Sequence, residues 1–222
     1  MILIFDMDGV LVEPGDSYRE AICQTVEHFS RIPITRELIH DYKNQGGWNN
    51  DWALSQQILR DQGCEIPYHQ IVDYFTQIFL GDTETEGLIL RERWIPKPGL
   101  LERLSRNHRL SLFTGRDRGE ATRTLTRFAP ALRFNPLMTA DIVRRPKPAP
   151  DGLLDIAAAH PNQPLLYIGD TVDDARSASG ARVPFVGIAA ATHPRRPEIL
   201  RLFEQENAIA VLPDINELER VL

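Results

Sequence analysis

Cysteine is nearly absent: Cys23 and Cys64 are the only two among 222 residues, and their separation matches no metal-ligand spacing. A thiolate metal site is therefore not expected, and the two read as reduced, partly buried thiols. Long apolar runs are also missing. None approaches the roughly 20 residues needed to cross a bilayer, and the N-terminal run Ile2–Phe5 is too short, with no basic segment before it, for a secretory signal. Positive charge is in deficit, with 25 Lys and Arg against 31 Asp and Glu and a formal charge of -6, which argues against non-specific nucleic-acid binding. The six histidines share no ligand spacing, and there is no internal repeat or low-complexity tract. The expectation is a cytoplasmic protein with neither membrane nor nucleic-acid partner; oligomeric state is not legible.

What is present is the composition of an ordinary globule, 42% hydrophobic and 25% charged, long enough for one large domain or a core with a smaller insertion. Short apolar runs at Ile2–Phe5, Leu110–Phe113, Pro136–Met138, Leu165–Ile168, Pro184–Ile188 and Ala208–Leu212 read as strands. Helical patterns at 99–107, 118–129, 150–159, 173–179 and 214–222 fall between or after them, the last opened by a capping pair, Asp214 and Glu217. This alternation predicts an α/β fold, a Rossmann-like parallel sheet with helices on both faces. Residues 14–95 break the rhythm. They show no convincing strand, but carry stripes such as Tyr18, Ile22, Val26, Phe29 and Ile71, Phe75, Ile78, with Thr35 and Asn50 or Asp51 placed to cap further helices. The expected organisation is a catalytic core of residues 1–13 and 96–222 with a helical insertion, 14–95, rejoining through the proline-rich stretch Trp94–Gly99.

Four places at the carboxyl ends of predicted strands, or in the loops after them, hold reactive side chains. Asp6 and Asp8 directly follow Ile2–Phe5, where acids are poor strand formers and costly to bury. Thr114-Gly115 follows Leu110–Phe113; Lys147 lies among prolines at 146, 148 and 150; Asp170, Asp173 and Asp174 follow Leu165–Ile168. In an open parallel sheet such ends converge on one crevice. Arg116, next to Thr114-Gly115, reads as a surface or cap-facing cation rather than a catalytic group.

In this order the four places resemble the motifs of the haloacid dehalogenase-like hydrolase superfamily: hhhDxDGxhh, hhh(T/S)G, a lysine, and GDxxxD. The matches run from Ile2 to Asp174, and the insertion after the first motif resembles the helical cap of the subgroup containing phosphoglycolate phosphatase and β-phosphoglucomutase. The resemblance implies a phosphatase acting through an aspartyl-phosphate. Asp6 would attack phosphorus, and Asp8 would protonate the leaving oxygen and then activate water. Thr114 and Gly115 would hold phosphate oxygens, and Lys147 would offset charge on Asp6 and the phosphate. It further implies Mg²⁺, held by the Asp6 side chain, the Asp8 backbone carbonyl, Asp170 and Asp174, with Asp173 at a variable position of the motif.

The implied partner is a small phosphorylated metabolite. In the insertion, Lys43–Trp52 concentrates amides, an amine and two indoles around Gly46-Gly47, making Lys43, Asn49 and Asn50 candidate substrate contacts. The same stretch also reads as a glycine turn with Trp48 and Trp52 packed into the helical core. A phosphosugar mutase on the same scaffold is the main alternative, since it shares the catalytic groups. A binding module that keeps only the fold is disfavoured, because every motif acid is present.

Overall fold

In the computed structural model, which describes residues 1–81 and 87–222, the chain divides into two units: Met1–Val12 with Trp94–Leu222, and Glu13–Arg93. The first unit is built on a six-stranded sheet. Its strands are β1 (Ile2–Phe5), β4 (Arg109–Phe113), β5 (Phe134–Met138), β6 (Leu165–Gly169), β7 (Phe185–Ile188) and β8 (Ala210–Leu212), while β2 (Val12–Glu13) and β3 (Arg93–Trp94) form a separate two-stranded ribbon. That ribbon was not foreseen, since two-residue strands carry no periodic signal.

The sheet order is β5-β4-β1-β6-β7-β8 and all five pairings are parallel. Residues of β1 alternate between two cores, as period-2 geometry requires. Leu3 and Phe5 pack with Leu100, Leu101 and Leu104 of α5 (Leu100–Asn107) and Ala121 of α6 (Arg118–Phe128). Ile2 and Ile4 pack with α7 (Asp151–Ala159), α8 (Val172–Ala181) and α9 (Arg196–Gln205). Covered on both faces, β1 needs the unbroken apolar run that the sequence shows. The chain moves outward from β1 through β4 to β5, then returns to β6 on the other side of β1. The order therefore reverses at β1, and a crevice opens at the carboxyl ends of β4, β1 and β6.

The second unit is helical: α1 (Tyr18–Ser30), α2 (Arg36–Gln45), α3 (Asp51–Asp61), α4 (Tyr68–Leu80) and a 3₁₀ turn, Leu88–Arg91. Tyr18, Ile22, Val26, Ile39, Leu54, Ile58, Ile71, Phe75 and Phe79 form its core, with Phe29 and Ile78 packed at the margin. Thr35 accepts from Leu38 N to cap α2, and Asn50 accepts from Ala53 N to cap α3. Among the described residues, no helix is long and apolar enough to cross a membrane.

Two elements differ from expectation. Helix α9 was missed, although Pro197 in its first turn and the buried pair Ile199 and Phe203 mark it. The expected C-terminal helix 214–222 is a 3₁₀ segment, Ile215–Arg220, and Asp214 accepts from Asn216 N two residues on rather than making a box with Glu217. Glu217 instead pairs with Arg220.

Candidate active site

The backbone past β1 is still held by the sheet, since Asp6 N donates to Ile168 O at 2.8 Å. The chain then turns sharply, with Leu11 N and Val12 N both donating to Met7 O. Gly9 takes φ +79°, and a Cβ there would lie 1.9 Å from Asp170 Oδ2. Only glycine lets this turn press against the loop after β6. On that side, Asp174 enters the first turn of α8 and receives three hydrogen bonds on Oδ2, from Asp170 N, Thr171 N and Thr171 Oγ1. Thr171 and Asp174 form a reciprocal capping box. Carboxylate oxygens of Asp6, Asp170 and Asp174 thereby lie within 4.8 Å of one another.

The ammonium of Lys147, a residue 3% exposed, bridges two of these carboxylates, 2.8 Å from Asp6 Oδ1 and 2.7 Å from Asp174 Oδ1. It also donates to Tyr167 Oη at 3.2 Å, and that hydroxyl donates to Asp174 Oδ1 at 2.5 Å. Tyr167 was not singled out from the sequence. Its signal was a hydroxyl-bearing ring inside the otherwise aliphatic run of β6, on the same strand face as Leu165 and Gly169.

Electrostatics separates the two carboxylates that Lys147 touches. Burial pushes the Asp6 carboxyl up to about 7; the Lys147 ammonium opposes this, while Asp174 and Asp8 add to the rise. Burial acts on Asp174 in the same direction, but Lys147, Tyr167 and Thr171 more than offset it and hold its carboxyl below the ordinary value. The acid with more donors keeps its charge, and the one with fewer takes the proton. Burial disfavours the Lys147 ammonium, yet Asp174 and Asp6 together hold its pKa above the usual lysine range. Tyr167, buried beside two carboxylates, is raised well above the ordinary phenol value and stays a hydroxyl.

Three carboxyl groups face one ammonium here, an all-oxygen donor set with more acids than cations. That set fits a hard divalent cation such as Mg²⁺.

Thr114 and Gly115 leave the adjacent strand at the same edge. Thr114 N donates to Met138 O, and its buried Oγ1 accepts from Arg116 N at 3.2 Å. Arg116, expected from sequence as a surface or cap-facing cation, is not at the surface. It is 2% exposed, and its guanidinium grips the Asp8 carboxylate with two bonds, Nε to Oδ2 at 2.8 Å and Nη2 to Oδ1 at 2.7 Å. Nη1 donates to Thr124 Oγ1 on α6.

Two of the three candidate substrate contacts of the helical unit, Lys43 and Asn50, are engaged within that unit. Lys43 is buried, 2.7 Å from Asp51 and donating to Trp48 O. Asn50, besides its cap, donates to Tyr68 Oη, and Asn49 is half-buried beside it. Trp48 and Trp52 pack against the helical core, Trp48 edge-on to Tyr42 and Trp52 edge-on to Phe75.

A sequence profile of the haloacid dehalogenase-like hydrolases matches residues 1–182. The chain belongs to this family. Membership makes it an enzyme. A Phytophthora nicotianae protein named imidazoleglycerol-phosphate dehydratase is 30% identical over 239 residues, covering 97% of this chain and 51% of that protein. The chain thus spans about half the length of that relative. A phosphoglycolate phosphatase from Cereibacter sphaeroides is 24% identical over 184 residues, covering 82% of each chain. A solved haloacid dehalogenase-like protein from Agrobacterium tumefaciens shares the fold, with a TM-score of 0.74 at 19% identity over 99% of this chain and 96% of that one.

Proposed function

We propose that this haloacid dehalogenase-like enzyme is a Mg²⁺-dependent phosphatase that hydrolyses a small phosphorylated metabolite through an aspartyl-phosphate. The observation that carries the reading is the Lys147 bridge between Asp6 and Asp174, at the sheet edge where Thr114, Asp8 and Asp170 also emerge. Lys147 lowers the cost of burying a nucleophilic carboxylate and would face the incoming phosphate dianion. The Asp6 carboxylate attacks phosphorus, the ester P–O bond breaks, and the departing alkoxide takes a proton from Asp8. Water then attacks phosphorus and gives a proton to Asp8, and the P–O bond to Asp6 breaks, releasing phosphate and restoring the carboxylate. The Thr114 hydroxyl and the Gly115 amide would hold non-bridging oxygens. Bound at Asp6, Asp170, Asp174 and the Asp8 carbonyl, Mg²⁺ would supply positive charge against the phosphate and keep Asp6 ionised.

The two named relatives suggest substrates: phosphoglycolate, and phosphate esters that carry an imidazole. The test is phosphate release from both kinds of ester and from sugar phosphates, with Mg²⁺ and with chelator. The expected result is metal-dependent release that Asp6→Asn lowers by about 10⁴-fold or more. Substantial turnover by Asp6→Asn would remove the nucleophile assignment. Sugar-phosphate isomerisation without net phosphate release would replace hydrolysis by mutase chemistry.

A further inference from the structure

Nothing in the mechanism above calls on Arg116, yet it makes the only guanidinium fork on a motif acid among the hydrogen bonds described. We infer that Arg116 is a positioning residue that fixes the Asp8 carboxylate for proton transfer, with Thr124 holding the guanidinium in turn. This rests on the reading of Asp8 as the acid that protonates the leaving oxygen.

Asp8 lies inside the sharp turn closed on Met7 O and is carried by no regular strand, so the backbone alone leaves its χ1 and carboxylate plane free. The two parallel bonds from Arg116 Nε and Nη2 fix both. The two partners are unequally buried: the Arg116 side chain is 1% exposed and that of Asp8 is 22% exposed. The carboxylate is therefore held from its protein side and keeps an open edge. The guanidinium is itself tethered, since Nη1 donates to the buried Thr124 Oγ1 at 2.8 Å. The Arg116 backbone is tied as well, its N to Thr114 Oγ1 and its O to Ala140 N. Hydrogen bonds thus link α6 to Asp8 through Arg116 without a break. Displacing a proton donor by about 1 Å costs on the order of 10²-fold in rate.

Leaving-group dependence separates positioning from mere support. An alkyl ester leaves as a strongly basic alkoxide and needs the proton; p-nitrophenolate leaves without it. The value to read is kcat/KM, which covers the phosphorylation step and excludes the later hydrolysis of the aspartyl-phosphate common to both esters. For Arg116→Met the expected loss is about 10²-fold or more on an alkyl phosphate and less than about 10-fold on p-nitrophenyl phosphate. Arg116→Lys, which keeps the charge without the fork, should recover part of the loss on the alkyl ester. Thr124→Val should show the same selective loss on a smaller scale, and it carries the test should Arg116→Met not fold. Equal losses on both esters, or no loss, would overturn the inference. Asp8→Asn serves as the reference: if it lacks the selective loss, the role given to Asp8 falls and this inference with it. If it has the selective loss and the Arg116 and Thr124 variants do not, only this inference falls.

Discussion

The carboxylate network of the α/β unit and several polar atoms in the helical unit are buried in different ways. In the α/β unit, the buried Asp6, Lys147, Tyr167 and Asp174 satisfy one another in a closed network within hydrogen-bond reach. In the helical unit, Ser17 Oγ, Thr25 Oγ1, Arg19 Nε and Asn44 Nδ2 are buried with no hydrogen-bond partner among the described residues. A closed network is one where removing a member strands the others; an unpartnered hydroxyl strands nothing when removed. The comparison teaches that burial by itself does not mark a site. What marks it is burial with mutual satisfaction around like charges.

The sharpest way to break that contrast is Lys147→Met. It leaves the Asp6 and Asp174 carboxylates buried without a counter-charge, and should cost about 3–5 kcal/mol at pH 8, read by urea unfolding. The loss depends on pH with a definite sign. Asp6 already has its folded pKa raised to about 7 and rises further without the ammonium, while Asp174 loses the partner that does most to hold it below its ordinary value. A carboxyl raised in the folded state contributes stability that is full below its unfolded pKa and lost as pH rises through the folded one. The variant should therefore approach wild-type stability toward pH 5 and fall away from it above pH 7. A deficit independent of pH would mean that Lys147 matters through packing alone.

How much of this was legible from the sequence follows from the same distinction. Asp6, Asp8 and Asp170 stood out because a charged residue at the end of an apolar run has no structural excuse, and Lys147 because prolines on both sides suggest a fixed backbone. The sheet strands were readable because a strand covered on both faces must be apolar throughout. Arg116 was not readable in that way: it sits after a glycine in a loop, where a solvated cation is the ordinary outcome, and only coordinates reveal its fork on Asp8. Tyr167 was hidden for the opposite reason. In a buried strand its ring is unremarkable, and its hydroxyl matters only because Lys147 and Asp174 lie at its tip. Lys43 and Asn50 had the right chemistry for ligand contacts, and composition alone did not reveal the ion pair of the one or the helix cap of the other.

Tyr167→Phe makes a smaller cut in the same network. It removes one acceptor of Lys147 and one donor to Asp174 while keeping the ring that packs against Phe113 and Phe185. Asp174 Oδ1 keeps its Lys147 bond, so no charge is stranded. The expected cost is about 1–3 kcal/mol in urea unfolding. A cost equal to that of Lys147→Met would mean that the hydroxyl, and not the ammonium, organises the carboxylates.

The helical unit supplies the smallest effect, and the one that most directly tests the contrast. Thr25 is fully buried in α1, and its Oγ1 has no partner among the described residues. Valine matches its shape and keeps the β-branch, so the helix loses no rotamer fit. The folded state of the wild type carries a desolvated hydroxyl, whereas the unfolded chain has it hydrated. Thr25→Val removes that penalty and should leave stability unchanged or raise it by up to about 1 kcal/mol. The reading is the urea midpoint at constant slope, which separates a change in stability from a change in the unfolded state. A loss above about 1 kcal/mol would show that the hydroxyl is satisfied in the folded protein, and the difference between the two units would then be one of partner and not of principle.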